Sequence, residues 1–373
     1  MAFDLEERFF PCWVVRLSLT GAFATLLMCV AVGQELRMNQ IQTVGTHNSY
    51  RIGPPPEILR LIRLVSPSSA DALDYSHRPI PEQLGAFSIR QLELDLYADP
   101  DGGLYANPIG HASLKKSDAN AKSHPNINGA MDVPGMKVLH SPGFDYRTTV
   151  PTLVTALKQV RDWSQSNPRH VPILILLELK DSVVGPAMVQ PIPFDTKLLE
   201  AVDAEIRSVF ESEQLILPDD VRGAHDCLRD AVGDDGWPTL QEARGRVWFA
   251  LDNEGSLVKS YLAGHPSLRN RVMFVSVASQ HPAAAFRKIN DPIRRFREIQ
   301  RAVQQGLIVR TRADAETREA RTGDTRRRDK AFASGAQYIS SDFPVADSRF
   351  TDYHVAVPGQ TEFRRNPIAA NQQ

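Results

Sequence analysis

The sequence predicts an α/β fold, a closed parallel eight-stranded barrel of the TIM type, and three observations carry that expectation. From residue 41 onward, short runs rich in Val, Ile and Leu alternate with longer stretches of helical period. The runs are eight in number, at 41–47, 89–96, 136–140, 172–179, 246–251, 272–277, 307–311 and 337–341. The first four end in titratable or amide side chains, and a barrel gathers its functional groups at the C-terminal ends of its strands. An open doubly wound sheet is the alternative, but no Gly-rich phosphate loop follows the first run.

The first strand, Ile41-Gln42-Thr43-Val44-Gly45, runs into Thr46-His47-Asn48-Ser49-Tyr50, setting an imidazole beside an amide where strand becomes loop. The second carries Gln91-Leu92-Glu93-Leu94-Asp95-Leu96-Tyr97, the third Met136-Lys137-Val138-Leu139-His140, and the fourth Ile173 to Lys180 with Glu178 at its end. Helices are expected at 150–165 (Leu153, Leu157 and Val160 on one face), 196–210 (Leu199, Val202, Ile206), 284–304 (Phe296, Ile299, Val303) and 325–334. Two long connections, 51–88 and 98–135, follow the first two strands. Connections of that length in a compact domain are usually functional or disordered. Within the first, Leu59, Leu61, Ile62, Leu64 and Val65 enclose Arg60 and Arg63. That segment reads either as a helix touching a lipid surface or as one packed on the barrel rim.

Glu93 and Asp95 are two apart on a strand and therefore share a face, opposite Leu92, Leu94 and Leu96. Two carboxylates facing into a barrel repel unless a base, a proton or a metal lies between them. Glu178 and Lys180 repeat the spacing. Asn48, Glu93, Asp95 and Glu178 offer only oxygen donors, which suits Ca²⁺, or less well Mg²⁺, rather than zinc. Three carboxylates around Ca²⁺ leave one negative charge, so an anionic phosphodiester needs cationic help, for which His47, His140 and Lys180 are the candidates. Any one of these motifs alone is more often an ordinary ion pair or a structural histidine. Asp342 and Asp252 also end strands and can orient a histidine or bind a substrate hydroxyl, or serve as caps or ion pairs. His77, His111, His124 and His281 form no metal-ligand motif at a recognisable spacing and are assigned no role. Arg326-Arg327-Arg328 lies among acidic residues and reads as a solvated helix face, not a nucleic-acid patch.

Arg16 precedes an uncharged apolar run from Leu17 to Gly33, closed by small residues. Residues 1–33 read as a secretory signal peptide, with a single membrane anchor at 17–33 as the alternative. The remainder, 34–373, is expected to be one barrel domain, secreted or periplasmic. Once Arg8, Arg16, Asp4, Glu6 and Glu7 leave with the signal, 41 basic residues face 41 acidic ones, which is no balance for a polyanion partner. Cys227 is then the single cysteine, so no internal disulfide is expected.

The order His47-Asn48, Glu93-x-Asp95, His140 and Glu178 resembles the phosphatidylinositol-specific phospholipase C superfamily, and more narrowly its calcium-dependent secreted branch. Gly45-Thr46-His47-Asn48-Ser49-Tyr50, Glu93-Leu94-Asp95-Leu96-Tyr97, Val138 to Arg147 and Leu176-Leu177-Glu178-Leu179-Lys180 carry the resemblance. Ser141-Pro142-Gly143 after the second histidine departs from the His-Gly of other branches. The resemblance implies a PLC-like phosphodiesterase barrel acting at a phospholipid surface; the charge balance points to no nucleic-acid partner, and no protein partner is evident in the sequence. By that analogy Asn48, Glu93, Asp95 and Glu178 hold Ca²⁺, His47 stabilises charge on the phosphoryl oxygens, and Glu93 is the general base for the inositol 2-hydroxyl. His140 is the general acid, while Lys180, Arg147 and Asp342 are assigned to the substrate, Arg147 alternatively pairing with Asp145. Glycerophosphodiester phosphodiesterases share the barrel but usually have Arg-Gly after the first histidine. A catalytically silent lipid- or glycan-binding barrel is the reading from another class.

Overall fold

The computed structural model describes residues 35–112, 114, 126–182, 189–359 and 361–368. Among the described residues ten strands form one sheet: β1 Ile41–Thr46, β2 Gln91–Tyr97, β3 Lys137–Val138, β4 Ile173–Leu179, β5 Val247–Leu251, β6 Met273–Val275, β7 Phe286–Lys288, β8 Ile308–Arg312, β9 Tyr338–Ser341 and β10 Arg364–Arg365. Eight of them follow one another in the order β6-β5-β4-β2-β1-β9-β8-β7. Every neighbouring pair along that path is parallel. A single parallel bridge between Ser276 and Phe286 joins the two ends, so the barrel is nearly closed. The parallel strands are covered on both faces and read as almost unbroken apolar runs, as in Ile173–Leu179.

The number of barrel strands is as expected, but one member differs. Residues 136–140 are not part of the wall. β3 pairs antiparallel with the C-terminal end of β2, Leu96 opposite Val138 and Tyr97 opposite Lys137. Met136, Val138 and Leu139 are buried there, which produces the same apolar pattern as a barrel strand. The eighth wall strand is β7, inside the stretch expected to be a helix at 284–304. Pro292 interrupts that stretch, and a helix forms only at Phe296–Gln304, because proline supplies no N–H and its ring clashes with the preceding turn.

The other helices lie close to their expected places, at Leu153–Ser166, Thr196–Arg207 and Arg326–Ala333. Thr152 caps the first, its hydroxyl accepting from the Thr155 amide, and Asp195 caps the second through the Leu198 amide at 2.8 Å. The 51–88 connection folds into three helices, Pro56–Val65, Pro67–Ala72 and Ile80–Ala86. Residues 1–33, expected to be a signal peptide or an anchor, lie outside the described residues, as does His124. Among the described residues no helix is long and apolar enough to cross a membrane.

Aromatic side chains plug the N-terminal end of the barrel. Trp248 lies 5.4 to 5.9 Å, centroid to centroid, from Phe274, Phe286, Tyr338 and Trp237, and its indole N–H donates to the Tyr338 hydroxyl at 3.1 Å. With this end filled, the C-terminal end is left for chemistry.

Candidate active site

Alternation along the strands turns one polar ring inward: Glu93 and Asp95 from β2, Glu178 and Lys180 at the end of β4, Asp252 after β5, Lys288 from β7, Arg310 and Arg312 from β8, and Asp342 after β9. His47 and Asn48 join it by a local device. The His47 amide still bonds the Ser341 carbonyl at 3.1 Å, in register with β9, and Asn48 then takes a left-handed conformation, φ 48°. Asparagine tolerates that region better than most residues. Ser49 fastens the turn to β2: its amide donates to the Glu93 carbonyl at 2.9 Å and its hydroxyl accepts from the Glu93 amide at 2.8 Å.

The carboxylates of Glu93, Asp95 and Glu178 offer oxygens that all lie within 4.8 Å of one another. The Asn48 amide group donates to the Tyr75 hydroxyl at 3.3 Å, while its Oδ1 is buried and meets no donor. Asp95 Oδ1 likewise meets no well-aligned donor, although Lys180 Nζ lies 3.1 Å from Oδ2 and 2.8 Å from Glu178 Oε2. Orphaned buried oxygens beside clustered carboxylates fit a hard divalent cation held by Asn48, Glu93, Asp95 and Glu178. Burial, reinforced by Asp252, Asp95 and Glu178, pushes Glu93 up to about 8 despite its Arg310 partner. Burial pushes Asp95 up to about 6, with Lys180 pulling the other way and Glu178 adding to the rise. Burial and crowding thus disfavour the charged form of both Glu93 and Asp95.

Two histidine–aspartate dyads flank the cluster. His47 Nδ1 lies 2.8 Å from Asp342 Oδ1, which fixes the proton on Nδ1 and turns Nε2 toward Glu93 Oε1 at 3.5 Å and toward Arg312, which donates to it at 3.3 Å. Burial and then Arg312 bring His47 down to about 3, so its imidazole is neutral. Arg312 also holds Asp342 at 2.9 Å. The His77 ring supports the His47 carbonyl from Nε2 at 2.8 Å. On the other side, His140 Nδ1 lies 2.7 Å from Asp145 Oδ2. Burial opposes charge on Asp145, but Arg51 and His140 outweigh it and hold the carboxyl below its usual range. Arg51 is wholly buried, 2.8 Å from Asp145, and also donates to the Tyr75 and Leu73 carbonyls at 2.7 Å.

The structure thus brings together His47, Asn48, Glu93, Asp95, Glu178, Lys180 and Asp342, with Asp342 orienting a histidine. Lys180 is committed to two carboxylates. Arg147 instead donates to the Gly53 carbonyl at 3.1 Å, and the guanidinium that pairs with Asp145 belongs to Arg51. Asp252 is neutralised by Lys288 at 2.8 Å. Sequence reasoning did not anticipate Arg310 or Arg312. Arg310 pairs with Glu93 Oε2 and donates to Asn290 Oδ1 at 2.6 Å and to the Ser340 hydroxyl at 3.1 Å. Their spacing, Arg310-Thr311-Arg312 on a strand, is the basic counterpart of Glu93-Leu94-Asp95.

The family model for phosphoinositide phospholipase C, Ca²⁺-dependent, matches residues 36–367. The calcium-dependent phosphoinositol-specific phospholipase C from a Gram-negative bacterium, Pseudomonas sp, is similar in structure at 16% identity and a TM-score of 0.53, covering 88% of this chain and 95% of that one. Its myoinositol complex matches at 16% identity and a TM-score of 0.52, covering 89% and 96%. A Ca²⁺-dependent phosphatidylinositol-specific phospholipase C from Streptomyces antibioticus matches at 17% identity and a TM-score of 0.50, covering 83% and 95%. At such identities the structural likeness is one of fold. No curated protein matches in sequence. The family match over nearly the whole described chain, with the barrel and its oxygen-donor cluster, shows that this protein belongs to the Ca²⁺-dependent phosphoinositide phospholipase C family of phosphoric diester hydrolases.

Proposed function

We propose that the protein cleaves phosphatidylinositol-type lipids between phosphorus and the lipid alcohol, by attack of the inositol 2-hydroxyl, with a cyclic inositol phosphate as first product. The observation that carries this reading is the pair of histidine–aspartate dyads on either side of a carboxylate cluster, one set for the nucleophile and one for the leaving group. Glu93 Oε1 takes the 2-hydroxyl proton, while Arg310 holds Oε2 and so fixes which oxygen faces the substrate. Neutral His47, oriented by Asp342, sits beside that proton, and Arg312 supplies the fixed positive charge that the analogy assigned to His47. The phosphorus–oxygen bond to the lipid alcohol breaks as the new one forms. His140 Nε2 gives its proton to the departing oxygen, and Asp145, held by Arg51, keeps Nδ1 in place. Opening of the cyclic ester then runs in reverse, His140 taking a proton from water. Bound Ca²⁺ supplies acidification of the 2-hydroxyl and neutralisation of phosphate charge.

A lipid surface is part of the proposal. Among the described residues, the exposed large apolar side chains all follow C-terminal strand ends: Leu61, Leu64 and Val65 after β1, Leu104 and Val133 after β2, Ile293 after β7 and Val345 after β9. Ile58 packs the Pro56–Val65 helix on the rim, while Leu64 and Val65 at its end stay 84% and 89% exposed, which rim packing leaves without a partner. Exposed apolar patches ringed by Arg60 and Arg63 suit a bilayer and its headgroups. The proposal includes export after loss of residues 1–33, which rests on their apolar run alone.

The test is ³¹P NMR of the protein acting on phosphatidylinositol vesicles with Ca²⁺. A five-membered cyclic phosphodiester signal that precedes the monoester is expected. A monoester from the first time point, or a glycerophosphoester, would overturn the cyclising step.

A further inference from the structure

A groove of about 770 Å³ runs between the Pro56–Val65 helix and the 140–145 segment. Leu61, Leu64 and Val65 line it from the helix, Leu73 from the segment that follows, and Phe144 and His140 from the other side. The Ser66 and Ser69 hydroxyls in the lining bond each other at 2.7 Å. Asp145, the carboxylate in the lining, is already held by Arg51 and His140. Ser141 and His140 are the remaining polar side chains of a lining that is otherwise Leu, Ile, Val, Ala, Gly and Phe, so the groove suits a hydrocarbon chain better than an inositol ring or a phosphate.

The position supplies the second argument. His140 protonates the departing oxygen in the reading given above, on which this inference rests, so the lipid alcohol must lie on the His140 side. The groove is lined both by His140 and by Leu64 and Val65, the exposed residues assigned above to the lipid surface. Its walls are tied together before any lipid arrives: one buried guanidinium, Arg51, bonds both the Leu73 carbonyl and Asp145. The volume suits a long chain at roughly 30 Å³ per methylene, about the share of one liquid water.

We propose that this groove receives an acyl chain of the substrate's lipid alcohol, drawing the lipid partly out of the bilayer and delivering its ester oxygen to His140. The site is a specificity subsite for long-chain leaving groups, separate from the residues that hold the headgroup.

The experiment uses lysophosphatidylinositols with acyl chains of increasing length, each kept monomeric below its micelle concentration, with Ca²⁺ and no vesicles. kcat/KM should rise with chain length, by up to about fourfold per methylene, the gain from burying one CH₂. Ala72→Trp, which fills the groove, and Leu61→Asp, at a half-exposed position, should flatten that slope. A loss of folded protein scales all chain lengths alike and leaves the slope intact, so the slope isolates the groove. A flat series for the unaltered protein, or a slope that survives both substitutions, overturns the proposal and leaves these residues as bilayer contacts. Inositol 1-(4-nitrophenyl phosphate), which has no chain, separates the two readings. If it is cleaved while the chain-length series is flat, the groove fails and the site stands; if it is not cleaved either, both fall.

Discussion

His140→Ala is expected to lower turnover of phosphatidylinositol by about 10²–10⁴-fold, the usual worth of a positioned general acid, while leaving Ca²⁺ binding in place. The reason is the leaving group. A diacylglycerol alkoxide departs poorly unless it is protonated, and His140 is the imidazole on that side, its Nδ1 bound to Asp145 at 2.7 Å. A 4-nitrophenolate departs without a proton, so the same variant should lose far less activity on the nitrophenyl ester. Comparing the two substrates separates proton donation from any role in binding. An equal loss on both would show that His140 positions the phosphate and does not serve as the acid.

The largest expected effect on stability comes from Arg310→Met. Arg310 and Glu93 are 1% and 2% exposed, and removing one member of a buried pair typically costs about 3–5 kcal/mol because the other is left uncompensated. Glu93 can escape by taking a proton, so the cost depends on pH. Its folded pKa is already raised, to about 8, and without Arg310 it moves higher. Below the unfolded value, near 4, the carboxyl is protonated in both states and the penalty vanishes. As pH climbs toward and past 8 the unfolded chain is ionised while the folded one resists, and the penalty grows. Urea unfolding in chelator at pH 5 and pH 9 should show the variant weakened mainly at pH 9. Glu93→Gln in the same background should recover much of the loss. A loss that is independent of pH would mean that Arg310 acts through packing.

Much of this arrangement was legible in the sequence because barrel strands alternate. The period of two in Glu93-Leu94-Asp95 and Glu178-Leu179-Lys180 places carboxylates on the inner face, and the structure puts them there with Asn48. The same rule applies to Arg310-Thr311-Arg312, and an interior holding so many carboxylates required such cations. The error at 136–140 has a different origin. Burial under a loop and burial in a barrel wall leave the same apolar signature, and only strand pairing distinguishes them. Phe286–Lys288 was hidden by an apparent helical period, although Pro292 argued against one continuous helix. The Asp145 and Arg51 partnership with His140 depends on how two irregular segments meet, which no spacing in the sequence encodes.

The most direct test of the central claim is release of water-soluble phosphate ester from phosphatidylinositol vesicles with Ca²⁺, with Mg²⁺ and with chelator, beside Asp95→Asn. The account predicts turnover that requires Ca²⁺, is weaker with Mg²⁺, and is lost with chelator and in the variant. Turnover that persists in chelator, with Lys180 still seated between Asp95 and Glu178, would contradict it.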